Sequence, residues 1–178
     1  MQVKSLAQRH RALATTLAFS LFAAGCNSNS SGGDATNGSN PGGPSGNPPT
    51  SATSADLAFC VTETNRYRNS IGLSNLVESA ELESFAATGA EVDGRAQTAH
   101  KHFTATNGGG IALAENEIPW WPLGTYHTVQ EIMRQGLAQM WGEGPSGGHY
   151  QNLTGPYTQV GCGVFIDGGQ VTVVQDLR

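Results

Sequence analysis

The strongest constraint on the fold lies near the C-terminal end of the chain. Residues 160–166 form an uncharged run of apolar residues and glycines, Asp-Gly-Gly interrupts it at 167–169, and residues 171–174 are apolar again. Such a pattern predicts a hairpin of two central, largely buried strands. Residues 111–114, which follow a glycine run, are a candidate for a third strand or a short core segment. Strands buried on both faces need other elements to cover them.

Three helices are predicted to supply that cover. The first spans residues 56–69, where apolar residues recur at helical spacing. The second begins near Ser79 and ends or bends near Gly94. Thr128 and Glu131 form a capping box that opens the third helix, which gives Glu131 a structural task. Helices that precede a short antiparallel sheet predict an α/β domain with helices packed on the sheet.

The start of the chain has the layout of a secretory signal. Residues 1–25 combine a basic head with an uncharged apolar stretch, at 12–24, that is too short for a permanent membrane span. Small residues lead directly into Cys26, an arrangement that resembles the bacterial lipobox, although Ala23 stands where Leu is usual. We therefore expect residues 1–25 to be removed and Cys26 to carry the lipid that holds the protein to a membrane.

The next segment predicts a tether rather than a folded unit. Residues 26–55 are dominated by Ser, Gly, Asn, Pro and Thr and contain no large apolar side chain. A segment of this composition cannot bury enough surface to offset its conformational entropy. The sequence thus predicts a flexible linker at 26–55, a folded domain at 56–178, and an extracytoplasmic location on the bacterial envelope, at the outer membrane or the cell surface.

Charge and cysteine content narrow the class of protein further. The sequence has 9 Lys and Arg against 14 Asp and Glu, a net charge of −5, and loss of the basic residues in the signal makes the mature chain more acidic. Such a balance argues against nucleic acid as a partner. If Cys26 takes lipid, Cys60 and Cys162 remain as a pair in an oxidising compartment, which predicts a disulfide.

Imidazole and carboxylate groups are the candidates for chemistry in the folded part. They lie in four short segments, around His100 and His102, Glu115 and Glu117, Glu143, and His149. Two imidazoles and two carboxylates can hold a divalent cation and leave a position open for water. The same groups can instead shuttle a proton, or satisfy one another in a polar cleft. Spacing alone does not choose among these three functions.

The order of several motifs resembles the CAP superfamily of cysteine-rich secretory proteins, antigen 5 and pathogenesis-related proteins, whose domain is also called the SCP domain. The resemblance covers essentially all of residues 56–178. The motifs that carry it are Asn65-Arg66-Tyr67-Arg68 with Gly72-Leu73, a histidine, Ala114-Glu115-Asn116, a Trp141 helix followed by a carboxylate, Gly148-His149-Tyr150, and Val160-Gly161-Cys162-Gly163-Val164. Gln151-Asn152-Leu153 after the second histidine is similar to a shorter bacterial variant of the family.

This resemblance implies an α-β-α sandwich with a central cleft lined by two histidines and two glutamates. Glu115 and His149 match two of these positions. The first histidine is His102 or His100, because the loop before Glu115 varies in length within the family. The second glutamate is best matched by Glu143, with Glu131 as the alternative.

The resemblance also implies a function class. We expect a non-catalytic binding module whose cleft takes a divalent cation, a small lipid or a protein partner, with no cofactor required. Zinc or magnesium would be held by His102, His149 and Glu115. The alternative is a hydrolase that uses a metal or a His/Glu centre, although the sequence has neither a His-Glu-x-x-His nor a Gly-x-Ser-x-Gly motif. Adjacent Trp120 and Trp121 cannot both point inward on a strand, so at least one of them either packs a loop across the edge of the cleft or contacts a ligand or membrane surface.

Overall fold

The computed structural model describes residues 51–178. The predicted signal at 1–25, Cys26 and most of the predicted linker lie outside the described residues, so these remain predictions. No helix in the described part of the chain combines the length and apolar character that crossing a membrane requires. The first helix begins at Ser54, two residues before the expected domain boundary, because Thr53 and Asp56 form a reciprocal capping box.

The described chain forms six α-helices and four strands. In chain order these are α1 (Ser54–Ser70), β1 (Val77–Glu78), α2 (Ala80–Ala96), α3 (Lys101–Thr106), β2 (Ala114–Pro122), α4 (Leu123–Tyr126), α5 (Val129–Gly142), α6 (Gly148–Thr154), β3 (Gln159–Asp167) and β4 (Gln170–Leu177). The three predicted helices correspond to α1, α2 and α5. Ser79 and Thr128 cap α2 and α5 with their side chains, as expected from the sequence.

The four strands form one sheet in the order β1-β3-β4-β2. β3 and β4 form the predicted antiparallel hairpin, β2 lies antiparallel to β4, and β1 pairs parallel with β3. Of the two alternatives for residues 111–114, a strand is wrong in position, because β2 begins at Ala114 and continues to Pro122, whereas a short core segment agrees with the burial of Ala112 and the packing of Ile111 beside it. The error has a physical cause: Glu115 and Glu117 interrupt the apolar pattern of β2, yet both are buried.

Helices cover both faces of the sheet, which confirms the predicted α-β-α sandwich. Val174 packs with Ala86 and Ala90 of α2, whereas its neighbour Val173 belongs to the larger core that includes residues of α1 and α5. Neighbouring residues of a strand point to opposite faces, so α2 forms one outer layer and α1 with α5 forms the other. A disulfide joins Cys60 of α1 to Cys162 of β3 and confirms the predicted pairing.

A glycine allows α2 to lie unusually close to the sheet. A Cβ atom at Gly163 of β3 would overlap backbone atoms of Ala86 and Ala87. Only a residue without a side chain permits this approach of backbone to backbone. As a result, α2 packs closely on the face of β2 and β4 that carries the buried acidic residues described below.

Candidate functional site

One candidate site is centred on His100, the residue before α3. Its Nδ1 atom lies 2.8 Å from Oε1 of Glu115, and its backbone N–H donates to Oε2 of Glu117 at 2.6 Å. The same ring nitrogen is 3.8 Å from Oε2 of Glu117. His100 adopts a left-handed backbone conformation with φ of 58°. This conformation turns the chain into α3 and brings both the ring and the amide of one residue onto two carboxylates.

Both carboxylates come from the same face of β2. Glu115 and Glu117 are separated by one residue, so their side chains share the face that α2 covers, while Asn116 points to the other. Their side chains are 1% and 0% exposed, whereas the ring of His100 is 41% exposed. The imidazole therefore forms the solvent-facing side of the cluster and the carboxylates form its floor.

Each carboxylate has one oxygen without a hydrogen-bond partner. Oε2 of Glu115 and Oε1 of Glu117 are both buried and unpartnered. On folding, such atoms lose their hydrogen bonds to water without forming new ones. Because this is costly, buried polar groups nearly always have a hydrogen-bond partner. One nitrogen of His100 and one oxygen of each glutamate lie within 4.8 Å of one another, which is close enough for all three to bind one metal ion.

The electrostatics of the cluster follow from this geometry. Hydrogen bonding to Glu115 raises the pKa of His100, since the bond favours the imidazolium form. Burial raises the pKa of Glu117 to about 7, because a carboxylate with little access to water is costly. Protons therefore occupy positions that a cation could take.

Two further acidic side chains lie close to the same face. Asp176 of β4 is directly opposite Glu115 in the ladder and has no hydrogen-bond partner on either oxygen. Burial and the charges of Glu115 and Asp93 raise the pKa of Asp176 to about 8. Burial also raises the pKa of Asp93 of α2, although Asp93 accepts a hydrogen bond from the backbone of His102. The layer beneath α2 is thus rich in buried acidic groups.

A second imidazole–carboxylate pair lies at the junction of α5 and α6. Nδ1 of His149 is 2.6 Å from Oε1 of Glu143, and the backbone of His149 donates to the other oxygen at 3.2 Å. This pair is half-exposed. Hydrogen bonding to His149 lowers the pKa of Glu143, so this carboxylate is ionised at neutral pH.

A cavity of about 170 Å³ lies beside the second pair. Glu117, Glu143 and His149 all contribute to its wall. Trp121 also lines it and stacks on Tyr126 with ring centroids 5.0 Å apart. The side chain of Glu117 is fully buried, so its carboxylate is turned to His100 and does not open into this cavity.

The adjacent tryptophans diverge, as the sequence predicted. Trp120 lines a separate small cavity with Gly94, Phe165 and Thr172, on the side of the sheet that α2 covers. The register of β2 shifts between Ile118 and Trp121, and Trp120 has a positive φ of 38°. This bulge is what directs the two indoles to different sides.

The two neighbouring histidines, between which the sequence left the choice open, have different surroundings. His100, rather than His102, contacts Glu115. The ring of His102 packs against Phe85 at 4.6 Å, and its Nδ1 atom is buried without a partner. Of the expected metal ligands, Glu115 lies in the three-residue cluster, whereas His102 and His149 do not.

Glu117 stood among the candidate residues in the sequence but was not assigned to the cleft. Its signal in the sequence was its position, two residues after Glu115 and so on the same face of a strand. Glu131, the alternative to Glu143, pairs with Arg134 and accepts a hydrogen bond from Gln135 on the surface of α5. Its carboxylate therefore interacts with residues of its own helix and not with the cluster around His100.

Comparison with known proteins places the chain in a family. The model of the cysteine-rich secretory protein family, CAP, matches residues 61–177. No curated protein matches the chain. Similar solved structures include a cysteine-rich secretory protein from Staphylococcus aureus, at 13% identity and a TM-score of 0.46, covering 73% of this chain and 40% of that one. An extracellular SCP-domain protein from Bacillus anthracis has 14% identity and a TM-score of 0.44, with coverage of 70% and 41%.

This chain therefore spans about two fifths of the length of those two proteins. The family model, by contrast, matches nearly the whole described domain, including the site residues and Cys162 of the disulfide. The chain belongs to the CAP family of cysteine-rich secretory proteins.

Proposed function

We propose that this CAP-domain protein is an extracytoplasmic, lipid-anchored binding module whose His100, Glu115 and Glu117 side chains bind a divalent cation. One observation carries the proposal: a ring nitrogen and two carboxylate oxygens lie within 4.8 Å of one another. The burial of both carboxylates supports the fit, because each keeps one oxygen without a hydrogen-bond partner and a cation would offset the charge that the protein leaves unbalanced.

The types of ligand favour zinc over magnesium. Imidazole suits zinc and other transition metals, whereas magnesium prefers oxygen ligands in near-octahedral geometry and keeps several waters. One imidazole and two carboxylates, with His100 open to solvent, match a site with three protein ligands and an open position. A bound zinc ion would supply a Lewis acid at that position.

The residues of this chain would hold and orient the cation. Glu115 and Glu117 would supply negative charge from the floor, and His100 would supply a neutral nitrogen after losing its proton. Among the described residues, no hydroxyl or thiol hydrogen-bonds to the ring of His100 or His149. This observation supports binding as the function, since an activated nucleophile requires such a contact.

The location rests on the sequence and on the disulfide. Cys60–Cys162 suits an oxidising compartment outside the cytoplasm. Lipid on Cys26 would then keep the domain at the bacterial envelope, where a small lipid or another protein is a further candidate partner. Metabolic labelling with a radioactive fatty acid tests the anchor. Label should enter the wild type and be absent from Cys26→Ser, and equal labelling of both would disprove it.

Calorimetric titration with zinc and with magnesium tests the metal site. Purified protein freed of metal with a chelator should bind one zinc ion, and affinity should fall by about tenfold or more in Glu117→Gln, because a charged ligand is replaced by a neutral amide. His100→Asn should have a similar effect, and Asn suits the left-handed conformation of that residue. Glu91→Gln is the matched control, since Glu91 is exposed and pairs with Arg95. Absence of binding at millimolar zinc would refute the proposal.

A further inference from the structure

Asp93 is a buried acidic residue that the metal proposal does not use. It lies on α2 and is 0% exposed. Its Oδ1 atom accepts the backbone N–H of His102 at 2.8 Å, whereas its Oδ2 atom is buried and has no hydrogen-bond partner among the described residues. Because burying a carboxylate is costly, we expect the contacts of this side chain to show what it does in the fold.

The hydrogen bond to His102 caps α3 from a neighbouring helix. The first N–H groups of a helix have no partner within it, and the side chain of the residue before the helix commonly accepts one of them. In α3 that residue is His100, and its side chain makes no capping hydrogen bond, because its ring is turned to Glu115. Asp93 therefore supplies the cap that His100 does not.

Asp93 also holds the other end of the connection between the two helices. Residues 97–100 join α2 to α3. The backbone carbonyl of Asp93 accepts the N–H of Gln97, which ends α2, and the N–H of Thr98 at 3.2 Å. Its side chain holds His102, just beyond the far end of the connection. The start and the finish of this short segment are thus tied to one residue.

His100 is the last residue of the connection, and its backbone conformation needs support. Its φ of 58° lies in the left-handed region, which is unfavourable for residues with a Cβ atom. Such conformations persist where the surrounding structure holds the chain in place. This one directs the ring of His100 to Glu115 and its amide to Glu117. A change in the first turn of α3 would release His100 to a negative φ and separate these groups.

Apolar packing alone does not fix the orientation of α3. The ring of His102 packs on Phe85 of α2, with centroids 4.6 Å apart, and Phe103 packs against the same buried cluster. These contacts hold α3 against α2, but hydrophobic contact has no preferred direction. A hydrogen bond does have one. Loss of the Asp93 side chain should therefore leave the domain folded and change the orientation of the first turn of α3.

We propose that Asp93 is the positioning residue of the cluster: its carboxylate holds the first turn of α3 and thereby keeps His100 in the conformation that brings it onto Glu115 and Glu117. Asp93 acts through His100 and is not itself a ligand. Its effect on zinc rests on the proposed function, since the cluster that it positions is the proposed metal site. Its effect on the conformation of His100 needs no metal.

NMR of chelator-treated, ¹⁵N-labelled protein tests the conformation of His100. A positive φ brings the amide and α protons of one residue close together, so His100 should give a strong NOE between them in the wild type. Asp93→Ala should reduce this NOE to the level of an ordinary helical residue. Asp93→Asn should retain it, because the amide oxygen still accepts the N–H of His102. Glu91→Ala, an exposed truncation on the same helix, is the matched control and should also retain it. An unchanged NOE in Asp93→Ala would overturn the proposal.

Zinc titration of the same variants separates positioning from charge and from a purely structural role. Asp93→Ala should lower zinc affinity by about tenfold to a hundredfold, the usual effect of removing a group that orients a metal ligand. Asp93→Asn should bind zinc as the wild type does, because it keeps the acceptor and removes only the charge. Equal loss in both variants would show that the charge is what matters and would overturn the proposal. A lower urea midpoint in Asp93→Ala with unchanged zinc affinity would show a purely structural role and would also overturn it.

Hydrogen exchange of the wild type tests the hydrogen bond without any variant. The amide of His102 should exchange about tenfold more slowly than that of the preceding Lys101, because its N–H is bonded to Asp93. Equal exchange rates would show that this bond does not form and would overturn the proposal, even if Asp93→Ala fails to fold. If the wild type binds no zinc, the proposed function is refuted, whereas the NOE and the exchange rates still decide the role of Asp93.

Discussion

Glu115 and Asp176 lie directly opposite each other on β2 and β4, and both are buried beneath α2. Two carboxylates at directly opposed positions of neighbouring strands repel each other if both are charged. No lysine or arginine forms an ion pair with either of them in the described part of the chain. Asp176 therefore carries a proton at neutral pH, in agreement with its pKa of about 8.

We predict that the domain loses stability as the pH rises from about 4 to 8. Asp176 and Glu117 have pKa values of about 8 and about 7, raised from 3.8 and 4.5, so the folded state binds more protons than the unfolded state in this range. Since unfolding then releases protons, the free energy of unfolding falls as pH increases. The raised pKa of His100 acts in the same direction. Urea unfolding in the presence of a chelator should show a loss of several kcal/mol, since each unit of difference in pKa between the folded and unfolded states corresponds to about 1.4 kcal/mol.

Asp176→Asn should reduce this dependence. The amide is neutral at every pH and resembles the protonated acid in shape, so the variant should be more stable than the wild type at pH 8 but not at pH 5. The exposed Asp167 on the same hairpin offers the control Asp167→Asn, which should leave the pH profile unchanged. A wild-type stability that increases from pH 5 to 8 would contradict the prediction.

Zinc affinity is predicted to change with pH in the opposite direction. At pH 6 both His100 and Glu117 hold protons that a cation must displace. Affinity should therefore rise by about tenfold or more between pH 6 and 8. Competition with a chromophoric chelator at several pH values measures this rise. An affinity independent of pH would show that zinc binds elsewhere, on groups already deprotonated.

The close approach of α2 to the sheet predicts the effect of a single methyl group. Gly163→Ala would place a Cβ atom against the backbone of Ala86 and Ala87, where no side chain can move aside. We expect a loss of about 3 kcal/mol or more, at the upper end for overpacked cores. Gly142→Ala on α5 is the matched control, since a Cβ there meets nothing within 4 Å. Similar urea midpoints for the two variants would contradict this account of the packing.

Much of the fold followed from local patterns. The β3–β4 hairpin, the caps at Ser79 and Thr128, and the disulfide were predicted correctly because apolar runs, capping residues and an even cysteine pair are properties of short segments or simple counts. Helix α6 was missed because it has seven residues and no side-chain cap.

The site was harder to predict, because it depends on tertiary contacts. Burial of Glu117 in a strand runs against the usual exposure of carboxylates, so its residue type gives no indication that it is buried. The contact of His100 rather than His102 with Glu115 goes with the positive φ of His100, a conformation that histidine adopts only occasionally and that the spacing of the two residues does not reveal. Such departures from local preference are expected where residues are arranged for function.

Helix α6 is predicted to depend on one amide for its position. Nδ2 of Asn152 donates to the carbonyl of Glu115 at 3.0 Å and to Oδ1 of Asn116 at 2.9 Å, which ties the helix that carries His149 to β2. Asn152→Ala should cost about 1–2 kcal/mol and speed amide hydrogen exchange within α6. The neighbouring Gln151 donates to the exposed carbonyl of Pro145, so Gln151→Ala should have little effect. Equal exchange rates in both variants would show that α6 is held by other contacts.

The disulfide is predicted to supply a large share of the stability of the domain. Cys60 and Cys162 are 1% and 0% exposed and are separated by 102 residues. Closing a loop of this length removes conformational freedom from the unfolded chain and contributes about 4–5 kcal/mol, against a typical total of roughly 5–15 kcal/mol. Cys60→Ala combined with Cys162→Ala should therefore lower the urea midpoint strongly, whereas Cys26→Ser should not. Thiol titration of the unreduced, denatured wild type gives a second test, because free thiols from both cysteines would mean that the bond does not form. If the bond forms yet the double variant unfolds at the wild-type midpoint, the packing of α1, α5 and the sheet alone stabilises the domain.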